Sequence, residues 1–195
     1  MTWLQTSKGR VFDLLDPRAD MVDFAEIAFA LARLNRFTGH AGVYSVAQHC
    51  AHGCDYFLSL GDREGALFFL LHDAHEAYIG DLSTPLKMAL AASMPAFPLH
   101  WKMLRKSIDA AIWRASGLLP PSPEIAARVK LVDLAMLRTE RDQLLTPPPA
   151  PWMDAVEQAT PLPVWIDRLT APELAERRWL GRFRSLTQKA EGATA

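Results

Sequence analysis

Cysteine is almost absent. The two in 195 residues, Cys50 and Cys54, leave no disulfide framework of the kind small secreted domains lean on. Four apart on an expected helix, they read as small core residues in a reducing compartment, although the same spacing permits metal binding. An excess of charge of one sign is missing too. With 21 Lys and Arg against 22 Asp and Glu, the net charge is −1, which removes the electrostatic case for a nucleic-acid polymer or an anionic membrane as the main partner. No apolar run approaches the ~18 residues a membrane span requires. The opening MTWLQTSKGRVFDLLDP has neither a charged start with an apolar centre nor a small-residue cleavage site. The expectation is a cytoplasmic protein that handles a small molecule.

Half of the chain is hydrophobic and 22% is charged, the composition of an ordinary globular domain large enough to bury a core. WLQT and RVFDLL flank Ser7-Lys8-Gly9 and predict a short hairpin. From there the apolar spacing is helical. One helix is expected over 23–35 after an Asp23 cap, and another begins at the Ser45-Val-Ala-Gln48 capping box. Further helices follow over 62–79, from Ser83 with Pro85 in the first turn, over about 98–116 and over about 124–145. Thr146 to Pro151 is a proline-rich loop, and Thr170-Ala-Pro-Glu173 repeats the capping-box pattern before a last helix to about 188. The fold class expected is all-α, a single domain of six to eight helices with an N-terminal β-hairpin, a core at about 24–145 and a frayed tail from Glu191.

The segment FFLLHDAHEAYIGDLSTPLK carries His72, Asp73, His75 and Glu76 out of an apolar run. A carboxylate in such surroundings needs a partner or loses its charge. Asp133 repeats the problem, since its helical neighbours Val129, Val132, Met136 and Leu137 are all apolar, and His49 borders the stripe of Val46, Cys50 and Phe57. Three separate helices thus offer imidazole or carboxylate from apolar faces. A divalent ion at their meeting point satisfies His49, His72, Asp73 and Asp133 at once, and the mixed N/O set suits cobalt, manganese, iron or zinc.

His49, then His72-Asp73, then Asp133 resembles the H…HD…D signature of the HD-domain metal-dependent phosphohydrolases. His72-Asp-Ala-His-Glu76 with Gly80-Asp81-Leu-Ser-Thr-Pro85-Leu-Lys87 resembles the HDxxE…GDxxTPxK stretch of the 5′-deoxynucleotidase branch, and Asn35-Arg36-Phe37 its Asn-Arg-Trp. The resemblance spans roughly residues 24–145. It implies an HD-type helical bundle, a homodimer, and the four residues named above as metal ligands. Glu76 is the expected general base and Asp81 an acid near the attacking water. Arg36 is the expected phosphate ligand, with Lys87 a second cation, and Phe37 would line the sugar pocket.

Two histidines have no counterpart in the pattern. His40 either reaches phosphate or caps the turn at Gly39; His75 either meets a second metal or a phosphate, or is a buried hydrogen-bonding residue. Phe37 in place of Trp leaves the choice between ribose and deoxyribose open. The activity implied is metal-dependent hydrolysis of a (deoxy)nucleoside 5′-monophosphate. A triphosphohydrolase using the same ligands is the alternative and requires His40, His75, Lys87 and Arg105 to converge. A nucleotide-binding protein without turnover, and a structural zinc held through Cys50, Cys54 and histidines, are the readings from other classes. The C-terminal third is expected to supply packing or an oligomer surface, and the stripe of Trp179 and Phe183 serves either a dimer surface or the core.

Overall fold

A computed structural model describes residues 1–168 and 170–188. The tail from Glu191, expected to fray, lies outside the described residues. The chain is mostly helical with a short antiparallel hairpin at its start. Strands β1 (Trp3–Gln5) and β2 (Val11–Asp13) pair in the register Trp3↔Asp13. Gly9 takes the left-handed φ of +76° that their turn requires. The hairpin has a single buried face: Phe12 is fully buried and stacks on Tyr78 at 3.6 Å between ring centroids. The Lys8 amide donates to Glu26 Oε1 at 2.6 Å, which ties the hairpin tip to the first helix.

That helix, α1 (Phe24–Leu31), starts at the Asp23 cap but ends four residues before the expected boundary. Beyond it Asn35 pairs with Ser45, and the Arg36 amide donates to Tyr44 O, so the chain enters a loop closed like a hairpin rather than continuing the helix. Helix α2 (Val46–Ser59) opens with the full capping box of Ser45 and Gln48. Helix α3 (Arg63–Leu71), capped by Asp62, packs along it. The Phe69 ring packs directly on Gly53, where a Cβ would overlap it.

The helix expected over 62–79 is broken. His72 Nδ1 donates to Phe69 O at 2.6 Å, taking the carbonyl that the Asp73 amide would use in an α-helix. The His72, Ala74 and Glu76 amides instead make i−3 bonds, Ala74 to Leu71 O and Glu76 to Asp73 O both at 3.0 Å. The chain resumes as the single turn α4 (Glu76–Ile79), stopped by Gly80 at φ +77°.

Helices α5 (Thr84–Ser93) and α6 (Phe97–Ala115) form an outlying pair, α5 with no buried residue. Helix α7 (Pro123–Leu144), capped by Ser122, crosses α2 and α3, and the short α8 (Asp154–Glu157) packs on it. Helix α9 (Pro172–Thr187) closes the bundle against α1, α2 and α3. Its stripe serves the core: Trp179 is fully buried, Phe183 is buried and stacks on Phe24, and the indole Nε1 donates to Leu70 O at 3.2 Å. The second capping box does not form. Thr170 Oγ1 bonds Asp167 instead, and the helix opens on Pro172. Among the described residues no helix is long and apolar enough to cross a membrane.

Candidate metal centre

Four elements meet at the middle of the bundle. Helix α2 presents His49, the broken turn presents His72 and Asp73, helix α7 presents Asp133, and the turn Arg36–Gly39 brings in Arg36. His49 Nε2 lies 3.4 Å from His72 Nε2. Asp73 Oδ2 is 3.1 Å from His72 Nε2 and 3.8 Å from His49 Nε2, while Asp133 Oδ1 is 3.5 Å from His49 Nε2 and 3.8 Å from His72 Nε2.

The opposite ring atoms fix the tautomers. His72 Nδ1 donates to Phe69 O, and His49 Nδ1 stands 2.6 Å from Glu140 Oε1, so in the neutral form of each ring the N–H sits at Nδ1 and the Nε2 lone pair faces the other ring. Two such lone pairs face to face, with two carboxylates beside them, form a site short of positive charge. The proton balance says the same: burial works against charging His72, yet Asp73 and Asp133 outweigh it and raise its pKa well above that of an ordinary imidazole. Burial also opposes ionisation of Asp73 and Asp133, but the neighbouring histidines hold both below the usual carboxylate range. Nitrogen and oxygen ligands about 2.1 Å from one ion lie roughly 3.0–3.4 Å apart, close to the separations here. His49, His72 and Asp133 each bring a ligand atom within 4.8 Å of the others, with Asp73 beside both histidines, so the cluster could hold a metal ion.

Glu140 braces the site and is the functional residue that the sequence reading missed. Fully buried on α7, it accepts from Tyr44 Oη at 2.9 Å, pairs with His49 and takes two bonds from the Arg36 guanidinium, Nε at 3.0 Å and Nη2 at 2.9 Å. Burial would push its carboxyl up, but Arg36 and His49 hold it below the usual range. A signal was present, because Glu140 lies seven residues after Asp133 on the same helix, two turns along one face. Phe69 supports the pair from below, its ring centroid 5.4 Å from that of His49 and 4.5 Å from that of His72.

A cavity of about 890 Å³ opens onto the cluster. Its walls include Arg36, Phe37, His40, Glu76, Asp81 and Lys87. Arg36 is more tethered than a free phosphate ligand: Glu140 holds two of its nitrogens, and the third, Nη1, is 3.8 Å from Asp73 Oδ2. Phe37 and Thr38 take left-handed φ values of 54° and 53°, a strained conformation for a bulky and a β-branched residue. His40 closes the turn through its backbone N–H to Phe37 O, one of the two roles expected of it, and it lines the cavity.

Glu76 is 7% exposed, its Oε2 has no hydrogen-bond partner among the described residues, and its carboxyl is raised well above the usual range by burial and by the charges of Asp73 and Asp81. Burial also raises Asp81. The tightened turn sets Glu76 beside Asp73, their ligand atoms and that of His75 within 4.8 Å of one another, rather than one α-helical turn above His72. His75 is buried with Nδ1 3.0 Å from Asp109 Oδ1; Asp109 lines the cavity and His75 does not.

The cysteines are core residues. Both are buried and free, and burial pushes their thiols up to about 11 for Cys50 and about 12 for Cys54, which disfavours the thiolates a structural zinc would use. Cys50 does lie within 4.8 Å of ligand atoms of His72 and Asp73. The C-terminal third contributes more than packing, because Pro151, Trp152 and Met153 line the cavity. That contribution was illegible beforehand, since the return of a proline-rich loop onto a distant site leaves no local pattern.

No family model matches the chain. It is 36% identical over 145 residues to the uncharacterized protein YfdR of Escherichia coli strain K12, a match covering 74% of this chain and 73% of that one. It is 32% identical over 151 residues to the uncharacterized protein RCAP_rcc00048 of Rhodobacter capsulatus, covering 73% and 72%.

Proposed function

Because the chain belongs to one family with YfdR of Escherichia coli and RCAP_rcc00048 of Rhodobacter capsulatus, whose names state no activity, we propose its function from the site itself: metal-dependent hydrolysis of a nucleoside 5′-monophosphate. The observation that carries this reading is the pair of Nε2 atoms 3.4 Å apart, flanked by Asp73 and Asp133, at the wall of a cavity that also holds Arg36, His40 and Lys87. The resemblance to the HD-domain phosphohydrolases implies the same chemistry.

His49, His72, Asp73 and Asp133 would hold the ion. When bound, a cobalt, manganese, iron or zinc dication supplies Lewis acidity to a phosphate oxygen and lowers the pKa of water. Arg36 Nη1 and Lys87 would take phosphoryl oxygens, a role for which the guanidinium held by Glu140 is already oriented. A water oxygen then bonds to phosphorus as the bond from phosphorus to O5′ breaks, giving nucleoside and orthophosphate. Glu76, with one buried oxygen free of protein partners, takes the proton from that water. Asp81 on the same cavity is assigned its relay to the leaving oxygen. Two buried, free cysteines accord with a reducing compartment, and a cytoplasmic homodimer is the setting proposed.

One observation favours a second reading. His40, Lys87 and Arg105, three of the four residues a triphosphohydrolase needs, line the same cavity, joined by Lys106 and Lys130. The test for both is product analysis from ribo- and deoxyribonucleoside mono- and triphosphates, with cobalt, manganese or chelator. Metal-dependent nucleoside plus orthophosphate from monophosphates supports the first reading. Release of intact triphosphate supports the second, and binding without turnover in any metal overturns both in favour of a nucleotide-binding protein.

A further inference from the structure

The cavity that carries Arg36, His40 and Lys87 is also lined by Phe37 and Trp152, two rings that the proposed chemistry does not use. Trp152 follows the proline-rich loop and faces Phe37 across 6.3 Å between ring centroids, with the ring planes at 54°. Trp152 is half-buried, yet it is mounted like a structural residue. Its backbone N–H donates to Glu157 Oε1 at 2.8 Å, and the guanidinium carbon of Arg141 sits 5.4 Å from its ring centroid. Arg141 is itself buried and held by the same Glu157 oxygen at 2.5 Å, so one carboxylate fixes both the backbone of the indole and the cation over its face.

Phe37 is mounted by different means. It reaches the cavity from two successive left-handed residues, a conformation costly for side chains of this kind, in a turn closed by the His40 amide on Phe37 O. Nothing in the packing of the core calls for that strain: Phe37 is only partly buried and belongs to the small cluster of Tyr44, Leu144 and Ile166 rather than to the main core. Two independent devices thus hold two rings in the lining of one cavity that also carries Arg36, His40 and Lys87.

Resting on the phosphohydrolase reading, we infer that Trp152, with Phe37 tilted against it, lines a cleft that takes the planar heterocycle of the substrate on the indole face, and that Trp152 confers the preference for phosphomonoesters carrying a nucleobase over bare sugar phosphates. A purine or pyrimidine has a π-face for the indole, and the Arg141 cation on the ring strengthens a platform that reads shape more than base edges. Discrimination between bases is expected to be mild, whereas discrimination between nucleotide and sugar phosphate is expected to be large.

The experiment compares adenosine 5′-monophosphate with ribose 5-phosphate on cobalt-loaded wild-type protein, Trp152→Ala and Trp152→Phe, reading both hydrolysis and calorimetric binding. The wild type should favour the nucleotide. Trp152→Ala should raise its KM and Kd roughly tenfold or more, as expected for loss of one stacked base, with a several-fold smaller effect on kcat and on ribose 5-phosphate. Trp152→Phe should recover most of the loss. An equal loss on both ligands would assign Trp152 a merely structural role, and nucleotide binding no tighter than sugar-phosphate binding in the wild type would overturn the cleft. Absence of phosphate release from either ligand would instead count against the phosphohydrolase reading, while the binding arm still decides the cleft.

Discussion

His49 Nδ1 lies 2.6 Å from Glu140 Oε1, and neither side chain touches solvent. A ligand histidine oriented by a carboxylate is the arrangement that fixes which nitrogen faces a metal, and Glu140 also anchors Arg36 and Tyr44. Glu140→Gln keeps the shape but removes the charge. It should weaken metal binding roughly 10- to 100-fold, read by competition with a chelating dye. Glu140→Ala leaves the buried Arg36 guanidinium unpaired and should cost about 3–5 kcal/mol in urea unfolding. Unchanged metal affinity in Glu140→Gln would remove it from the site.

Glu76 has an oxygen without a protein partner in a buried position on the cavity wall. Glu76→Gln is expected to lower kcat by about 10²–10⁴ while the protein keeps its metal, measured by phosphate release beside elemental content. Loss of metal in this variant would make Glu76 a ligand rather than a proton acceptor.

Gly53 transmits packing to the site, because Phe69 fills the space a Cβ would need and the same ring supports His49 and His72. Gly53→Ala should destabilise the fold by about 1–3 kcal/mol and also reduce metal affinity, although position 53 is not a ligand. A melting shift with unaltered metal affinity would separate the packing of Phe69 from the placement of the histidines.

His52, buried one turn beyond His49, is pushed down to about 4, first by burial and then by Arg178. An unfolded imidazole titrates near 6.5, so the native state binds this proton less well than the unfolded chain. The stability is fully present above about 6.5 and is lost as the pH falls toward about 4, at most about 3 kcal/mol over that window. In metal-free protein, urea midpoints of His52→Gln should decline less between pH 7 and pH 4 than those of the wild type. Parallel declines would show that His52 does not carry the titration.

Particular residues explain what the sequence disclosed and what it hid. Asp23, Ser45 and Ser122 cap helices as their spacing predicts, since each needs only a backbone N–H two or three residues on. The same pattern at Thr170 fails because Asp167 takes the hydroxyl. Apolar spacing could not foresee the break after Leu71, which arises when one histidine side chain captures a helix carbonyl. That His49, His72, Asp73 and Asp133 come together was legible, because polar groups on apolar stripes stand out. Glu140 was passed over despite its seven-residue spacing from Asp133, because Arg138, Arg141 and Asp142 around it make the segment resemble a solvated face. Trp152 depends on the path of a loop, which no periodicity encodes.

The most direct test of the account is cobalt binding by equilibrium dialysis, on wild-type protein and on a His72→Asn, Asp133→Asn variant whose folding is checked by circular dichroism. The expected result is one tightly bound ion per chain in the wild type, removed by chelator without unfolding, and none in the variant. A folded variant that binds cobalt as tightly as the wild type, or a wild type that binds none, would contradict a metal centre between His49 and His72.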